Sequence, residues 1–498
     1  MLKYNSTKQI DIFEFTHPFE TELDKENRWV KLSKLIPWDQ LVEIYSKSLS
    51  RTKGKKSIDG RLAIGSLIIK HKLQLSDREV VESLKENIYL QYFVGFRSFQ
   101  KKAAFDASLL VHIRKRMGKK QFDLMNEEII RVSEKISSKT QKSKKTKGNT
   151  NDNSNKPTPN KPEKEKKNKG KLKVDATVAD QMIVHPTDHG LLNKAREESE
   201  RLIDELYKQT DLEKKPRTYR RNARKDYLAI SKKKRKTKKE IRKAIRKQLG
   251  YLNRNIKSIH KLLDLIGRKE FPLPIRDQRI FWIIQLLYEQ QKEMYDNKTH
   301  SVKDRIVNIY QPYVRPIPRG KEKASVEFGA KLGVSEVDGF TRLANLSWDA
   351  YNESKDLKDQ VKQYKQFHGY YPEVVLADNI YLTRENREFL KELGIRITGK
   401  PLGRPPKNES YYQKNKRRKE HRERSHIEGK FGQGKNAYGL KTIRAKRQDT
   451  SESWISAIFF VMNLVKLVKL SDIFYSFFKM LYFKFKITKS HKTIMHMA

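Results

Sequence analysis

The chain has 498 residues, of which 36% are hydrophobic, and its 109 Lys and Arg against 60 Asp and Glu leave a formal net charge of +49. Such an excess predicts a polyanionic partner, nucleic acid before an anionic membrane surface, because each cation can neutralise a phosphate and release counterions. The absence of cysteine excludes disulfides, Cys-ligated zinc and thiol catalysis, and the opening MLKYNSTKQIDIFEF lacks the apolar core of a signal peptide.

Residues 1–136 are predicted to be mainly helical. Ser76 and Glu79 match a capping box, which opens a helix by satisfying two of its free backbone amides. A later helix carries the basic run RKR at 114–116. Short helices that end in a basic one are compatible with a helix-turn-helix DNA binder. A plain helical bundle is the simpler alternative that the pattern alone favours.

Residues 137–171 consist largely of Lys, Asn, Ser, Thr and Pro, with no large apolar residue. Such a composition cannot bury a core, and it predicts a disordered, cationic tether. The run KKTKGN would also suit a nuclear localisation signal, but a solvated tether held near DNA by its charge needs fewer assumptions.

A strand is predicted around 172–175, because Leu172 and Val174 alternate with polar residues and Asp175 falls on the polar face. From Asp188 the pattern turns helical, and a long α-helical block follows over 190–320. Within it, one helix is predicted through KKKRKTKKEIRKAIRKQL at 232–249. Its cations predict a phosphate-contacting surface, and a solvated helix pair is the alternative.

Strands resume at 325–349, where Asp338-Gly339 lies between two strand-like runs, as in a hairpin turn. A buried strand is then predicted at 374–377, followed directly by Asp378, a helix over 383–393 and a short strand at 395–398. In this α/β pattern, functional groups gather at the ends of strands.

The most apolar run, WISAIFFVMNLVKLVKL, covers 454–470. It is shorter than the ~20 apolar residues that a membrane span needs, and it contains Asn463, Lys466 and Lys469. We therefore predict a buried core helix and no membrane partner. The aromatic and basic tail after it, 471–498, suggests packing on the core or on a partner.

The segment EHRERSHIEGKFGQGKNAYGL places His421, Arg424, Glu428 and Lys435 within an arc of roughly 60° of an α-helix. A carboxylate beside cations is easily kept ionised, which suits a metal ligand next to a polyanion. Spacing alone leaves a salt-bridged, solvated helix face as an equal alternative. The glycines that precede Lys435 weaken the last turns, so this lysine is also compatible with a place beyond the helix end.

Three carboxylates stand out from these positions: Asp175 on the first strand, Asp378 after a core strand and Glu428 on the late helix. Such a set can hold two Mg²⁺ ions about 3.5–4 Å apart, which would activate a water or a 3′-hydroxyl for phosphodiester displacement. Residue types alone leave competitors among the other acidic residues, namely Asp180, Asp188, Asp338 and Asp349.

With these residues in view, the chain resembles the insertion-sequence transposases of the Asp-Asp-Glu (DDE) class, in the group with a Tyr-x2-Arg-x3-Glu-x6-Lys signature (IS-four and IS-five type). The matching residues are Arg424, Glu428 and Lys435 in RSHIEGKFGQGKNAYGL. Further similarity lies in VDATVAD, in VRPIPRGK and VEFGAKLGVS, in VVLADNIYLTRENREFLKELGI, and in the N-terminal SIDGRLAIGSLIIKHKLQLSDREVVESLKENIYLQYFVGF. One position departs from the signature, because His421 stands where the tyrosine is expected.

The resemblance implies that Asp175, Asp378 and Glu428 are catalytic and bind two Mg²⁺ ions, with Mn²⁺ as a substitute. It implies that Arg424 and Lys435 grip DNA near the cut, with His421 able to stack or to hydrogen-bond phosphate. It also implies an RNase H-like α/β catalytic core with a large helical insertion, preceded by an all-α N-terminal domain. The expected divisions are 1–136 (helical, DNA-binding), 137–171 (tether), 172–189 with 321–470 (catalytic), 190–320 (basic helical insertion) and 471–498 (tail).

We therefore expect a transposase that binds the terminal inverted repeats of its element, nicks their ends and joins the 3′-hydroxyl to target DNA. Its partners would be double-stranded DNA and a second copy on that DNA, in the nucleoid of a prokaryotic cytoplasm. A catalytically inactive or domesticated DNA-binding protein, and a related nuclease without strand transfer, are the alternative functions.

Overall fold

The structure is a computed structural model that describes residues 16, 22–50, 57–145, 168–267, 270–321, 324–399 and 410–495. Most of the predicted tether, 146–167, lies outside these residues. The part that is described differs from the prediction, because residues 137–145 continue the preceding helix and Lys171 already belongs to a strand.

The N-terminal region is helical, as its periodicity predicted. Its helices are α1 (Arg28–Leu35), α2 (Trp38–Ser46), α3 (Gly60–Leu73), α4 (Asp77–Glu86), α5 (Ile88–Phe93) and α6 (Leu109–Lys145). The capping box before α4 is confirmed, since Ser76 and Glu79 exchange both side-chain-to-backbone hydrogen bonds. Gly118 interrupts α6 with φ 58°, a conformation that glycine adopts at little cost.

A six-stranded mixed sheet forms the centre of the molecule. Its strands are β1 (Lys171–Asp180), β2 (Arg315–Lys321), β3 (Ala324–Val337), β4 (Phe340–Ser347), β5 (Val374–Leu376) and β6 (Arg396–Ile397). The order is β2-β3-β1-β5-β6, with β4 also paired to β3. Strand β1 runs antiparallel to β3 and parallel to β5, so the first strand lies in the middle of the sheet.

The turn and crossover predictions in this sheet are confirmed. Asp338 and Gly339 connect β3 to β4 with φ values of 50° and 86°, the left-handed pair that a tight hairpin requires. The helices on either side of β5 are α11 (Leu357–His368) and α12 (Arg384–Glu392), of which α12 is the one predicted over 383–393. Because β5 and β6 are parallel, α12 forms the crossover between them.

The insertion contains α7 (Asp188–Tyr207), α8 (Arg220–Ser231), α9 (Lys238–Ile266) and α10 (Ile275–Asp296). These helices enclose a hydrophobic cluster of their own, centred on residues such as Leu202, Leu252 and Ile284. The prediction of one helix through 232–249 is wrong. Residues 232–237 connect α8 to α9, and a capping box between Thr237 and Glu240 begins the second helix, because its two reciprocal hydrogen bonds satisfy amides that a continuous helix would not leave free.

The last two helices are α13 (Tyr411–Ala437) and α14 (Gln448–Met495). The apolar run at 454–470 is the buried core helix that was predicted, with side chains such as Ile458 and Leu464 fully enclosed. By length and composition alone, Gln448–Ser471 is apolar enough to cross a membrane, but 67% of its apolar window is buried inside the protein.

Helix α14 joins the N-terminal helices to the sheet in one continuous hydrophobic cluster. On the edge of β4, Asn463 of α14 accepts a hydrogen bond from the Thr341 backbone amide (2.9 Å) and donates one to the Asn126 side chain of α6 (2.7 Å). Asn126 in turn donates to the Thr341 carbonyl (3.0 Å). The two asparagines therefore satisfy the backbone of an edge strand that would otherwise be open to pairing.

A second polar cluster fixes α3, α4 and α6 against α14. The Asp77 carboxylate accepts two hydrogen bonds from Arg114 (2.8 and 2.7 Å) and lies 2.9 Å from the Lys70 ammonium. Both cations also lie over the Trp454 ring, with Lys70 Nζ 4.4 Å from its centroid. Lys70 and Arg114 are buried, so this carboxylate is the counter-charge that makes their burial possible.

Candidate active site

Asp175 lies in the middle of β1, the central strand of the sheet, and not at the end of that strand. Its side chain is 15% exposed. The pKa of this carboxyl is raised to about 6, chiefly by burial and in smaller part by the nearby charges of Glu353 and Asp378. A hydrogen bond from the Ala176 backbone amide (2.8 Å) and the positive charge of Arg424 act in the opposite direction.

Helix α13 brings Arg424 and Glu428 to this carboxylate. Ile427 and Phe431 are the buried side chains that pack α13 on the sheet, and this contact directs the neighbouring turn of the helix across β1. One terminal nitrogen of Arg424 lies 3.0 Å from the Glu428 carboxylate, one helical turn away, and the other lies 3.8 Å from the Asp175 carboxylate. Arg424 thus connects two of the three predicted carboxylates.

Asp378 lies two residues after the end of β5, one residue further from the strand than predicted, and its side chain is exposed to solvent. Because β5 is parallel to β1 and next to it, the end of β5 lies beside Asp175. The electrostatic effect of Asp378 on the pKa of Asp175 shows that the two charges are close enough to interact. The structure therefore gathers Asp175, Asp378, Arg424 and Glu428 on one side of the sheet.

The other two predicted DNA contacts lie on α13 on either side of Arg424 and Glu428. Lys435 is inside the helix, in its last turn, and the three glycines before it do not end the helix. Its ammonium lies 3.7 Å from the Glu327 carboxylate on β3. His421 is exposed near the start of α13, beside Arg417, Arg418 and Arg422. Of the predicted cations, Arg424 alone contacts the candidate catalytic carboxylates in the described part of the chain.

Two residues that the sequence did not single out also belong to this site. Glu353, in the short 3₁₀ turn Glu353–Asp356, raises the pKa of Asp175 and pairs with Lys331 over 2.9 Å. Tyr381 is fully buried, and its pKa is raised by burial and by the charges of Glu353 and Asp175. No local signal marks Glu353, whereas Tyr381 could have been found from its place three residues after Asp378.

The chemistry of these donors fits a hard divalent cation, since carboxylate oxygens are the ligands that Mg²⁺ prefers. The raised pKa of Asp175 is a further fit, because nearby positive charge would relieve the cost of its ionisation. The arrangement is nevertheless incomplete. Among the residues that the structure describes, no three Asp, Glu or His side chains are close enough to hold a metal ion, and Glu428 is engaged with Arg424 instead.

Three of the four competing aspartates have structural contacts elsewhere in the fold. Asp188, at the start of α7, accepts hydrogen bonds from Gln291 (2.8 Å) and Arg305 (2.7 Å) within the insertion. Asp338 forms the β3–β4 turn, and the exposed Asp349 lies 3.5 Å from Arg315. These contacts explain the positions of the three aspartates without any catalytic function.

Basic surfaces also lie outside the carboxylate site. The basic segment GRPPKNESYYQKNKRRKEHRER is expected from its composition to be a loop before the late helix, but it is helical from Tyr411 onward, and Tyr411 and Tyr412 are strongly exposed among cations. A cleft of about 1070 Å³ lies between the starts of α10 and α14 and is bordered by Arg276 and Arg447. Exposed aromatic and basic side chains together are typical of surfaces that bind nucleic acid.

Comparisons with known proteins agree with this arrangement. Residues 375–465 match the family model described as "Transposase DDE domain", a segment that contains Asp378, Arg424 and Glu428. Residues 17–116 match the model "Transposase domain (DUF772)". The chain is also 33% identical over 166 residues to the uncharacterized protein ORF8 in the nfe locus of Rhizobium meliloti, covering 33% of this chain and 68% of that protein. No solved structure matches it significantly.

The sheet carries one carboxylate at its centre and another near the end of a neighbouring strand, and a helix with a third carboxylate packs against it. Together with the match to the transposase DDE domain, this arrangement defines a DDE-type class of nucleic-acid enzyme. The chain belongs to the DDE transposases of insertion sequences. Asp175 lies outside both matched segments, so its assignment depends on the geometry described above.

Proposed function

We propose that the protein is a transposase that binds the terminal inverted repeats of its insertion sequence, cleaves the DNA at the element ends and joins them to target DNA. The observation that carries this proposal is the contact of Arg424 with both Asp175 and Glu428, beside Asp378. Transposases act on DNA, and a net charge of +49 supplies the attraction to phosphates.

The sheet supports an RNase H-like core as part of the same proposal. Its first strand is central and carries Asp175, Asp378 lies two residues after the end of the parallel neighbour β5, and α13, which carries Glu428, packs across both strands. The Arg-x3-Glu-x6-Lys part of the predicted signature lies on one helix, which supports the assignment to the IS-four and IS-five type. His421 takes the tyrosine position and would contact DNA through its imidazole.

DDE transposase domains generally use divalent metal ions, and here Asp175, Asp378 and Glu428 would hold Mg²⁺ or Mn²⁺. The metal pair would activate the attacking water or 3′-hydroxyl and stabilise the leaving oxygen. The role of Arg424 would be to keep Asp175 and Glu428 near each other before cleavage and to neutralise charge on the scissile phosphate during it. For Glu428 to reach a metal, its ion pair with Arg424 must open.

In the first step the oxygen of water attacks the phosphorus at the element end and the 3′-oxygen leaves. In the second step that 3′-hydroxyl attacks a phosphate of target DNA, and the 3′-oxygen of the target strand leaves. Both steps are displacements at phosphorus and need no redox partner. We propose that they take place on DNA in the cytoplasm, with two copies of the chain holding the two ends.

Replacing Asp378 by Asn tests the proposal, with Asp349→Asn as a matched change at an exposed aspartate outside the site. The assay would use the inverted repeats that flank the gene, a supercoiled target plasmid and Mg²⁺ or Mn²⁺. We expect Asp378→Asn to lower nicking by at least about 100-fold while DNA binding stays within about twofold, and Asp349→Asn to behave as the wild type.

The assay also separates the alternatives. Undiminished nicking by Asp378→Asn would remove this residue from the mechanism. Binding without nicking by the wild type would identify an inactive, domesticated copy. Nicked ends that never join the plasmid would identify a nuclease without strand transfer.

A further inference from the structure

Helix α10 has two apolar faces. One packs into the core of the insertion through buried side chains such as Ile280 and Ile284. The other leaves three large apolar side chains in solvent: Ile275 is 76% exposed, Trp282 64% and Leu286 51%. Large apolar side chains exposed together on one helix are a sign of an interaction surface.

The exposed face has the spacing of a helix–helix seam. Its six residues, all exposed and separated by alternating steps of four and three, are Ile275, Arg279, Trp282, Leu286, Glu289 and Glu293. We call them the α10 stripe. At about 100° per residue they occupy an arc of roughly 80°, and the four-three repeat is the pattern by which two helices pack knobs into holes.

The order of charges along the stripe is self-complementary. The cation Arg279 precedes the apolar centre, and the anions Glu289 and Glu293 follow it. We propose that a second copy of this chain covers the stripe, with the two α10 helices antiparallel around a two-fold axis. Each Arg279 then lies opposite Glu289 of the other copy, and each Trp282 lies opposite Leu286.

A parallel arrangement would place Arg279 against Arg279 and Glu289 against Glu289, so charge favours the antiparallel one. The large net charge of each copy opposes association over long distances. At physiological ionic strength, charges more than ~8 Å apart are largely screened, whereas the facing Arg and Glu side chains remain close enough to attract. The interaction should therefore survive when the excess charge is screened.

The stripe alone is smaller than the ~800 Å² per partner of a standard-size interface. The dimer should therefore be reversible and should dissociate on dilution. This dimer also specifies the interface of the homodimer proposed above. The inference rests on that proposed function, in which two copies hold the two DNA ends. Its measurement needs no DNA, so its failure would leave the cleavage result unaffected.

Charge reversal in the full-length protein tests the pairing by sedimentation equilibrium without DNA. We expect the wild type to form a concentration-dependent dimer and Arg279→Glu or Glu289→Arg to weaken it by about tenfold or more. The double variant Arg279→Glu/Glu289→Arg should restore the dissociation constant to within about threefold of the wild type. Circular dichroism should be unchanged, because both side chains are exposed.

Cross-linking tests whether the two α10 helices are antiparallel. Because the chain has no native cysteine, only the introduced cysteines can react. A tagged Arg279→Cys chain mixed with Glu289→Cys should give a mixed dimer with a short thiol cross-linker. Either variant alone should not, because identical positions would lie about 15 Å apart along the helix axis. A monomer at all concentrations, a dimer insensitive to charge reversal, or cross-linking of Arg279→Cys with itself would each overturn the proposal.

Discussion

Asp77 and Asp175 are both largely enclosed aspartates that face an arginine, yet their pKa values move in opposite directions. Burial alone would raise the pKa of Asp77, but hydrogen bonds and charge from Arg114 and Lys70 lower it below its ordinary value. For Asp175, burial prevails and the pKa rises to about 6, because Arg424 lies 3.8 Å away and two further carboxylates are near.

This difference is the one expected between a structural carboxylate and a carboxylate with the catalytic role that we propose for Asp175. Positive charges within the protein neutralise the Asp77 carboxylate, which holds α4 and α6 on α14. The Asp175 carboxylate is neutralised only in part, so additional positive charge would stabilise its ionised form. A site that must bind a cation and a phosphate in turn has to be left under-neutralised in this way.

The largest effect should follow from Asp77→Asn. The substitution leaves Lys70 and Arg114 buried without a counter-charge, and removing one partner of a buried ion pair costs about 3–5 kcal/mol. Urea unfolding near pH 7 would measure the loss. Glu86→Gln, at an exposed position of the same helix, should change the free energy of unfolding by less than about 0.5 kcal/mol. A loss below about 1 kcal/mol for Asp77→Asn would erase the contrast between the two aspartates.

Asp175→Asn should change the free energy of unfolding near pH 7 in the opposite direction, by stabilising the protein. The folded-state pKa of about 6 lies above the ordinary 3.8, so the folded state holds this proton more tightly than the unfolded state. The stability that Asp175 contributes is therefore full below about pH 4 and is lost as the pH rises through about 6. Near pH 7 the ionised carboxylate costs up to about 3 kcal/mol at 1.36 kcal/mol per pKa unit, and the neutral amide removes that cost.

Urea unfolding in the presence of a chelator, below pH 4 and above pH 7, would measure this effect. The variant should be the more stable protein at the higher pH, and the pH dependence between the two should flatten. Added Mg²⁺ should stabilise the wild type more than the variant, because only the carboxylate attracts the ion. A variant that loses stability as Asp77→Asn does would show that Asp175 is a structural residue.

Much of this contrast between the two aspartates could not be predicted from the sequence. Local chemistry identified the Ser76–Glu79 capping box, the Asp338-Gly339 turn and Asp378 after a strand, since each depends on residues within a few positions of one another. The end of α8 at Ser231 was missed because the cations that follow it have good helix propensity, although Thr237 and Glu240 match the same capping signal. Nearest-neighbour patterns therefore predicted most elements and misplaced some of their ends.

Long-range contacts could not be predicted in the same way. The charge of Glu353 acts on Asp175 although the two are far apart in sequence, and Glu327 pairs with Lys435 from a distant strand. The aromatic partner of Lys70 and Arg114 is equally remote, since both cations lie over the Trp454 ring of α14. A single sequence shows which residues carry charge, whereas only the fold shows which of those charges are already neutralised.

The smallest effect on stability should come from Glu428→Gln. Its side chain is 54% exposed, and its ion pair with Arg424 joins two residues one helical turn apart, for which about 0.3–0.5 kcal/mol is typical. Glu82→Gln is a matched control, because Glu82 is 57% exposed and lies 2.8 Å from Lys85 on α4. Both variants should unfold within about 0.5 kcal/mol of the wild type, yet only Glu428→Gln should lose DNA nicking with Mg²⁺. Equal nicking by the two variants would mean that Glu428 is merely half of a surface ion pair, and the third carboxylate would then have to be sought at Glu353.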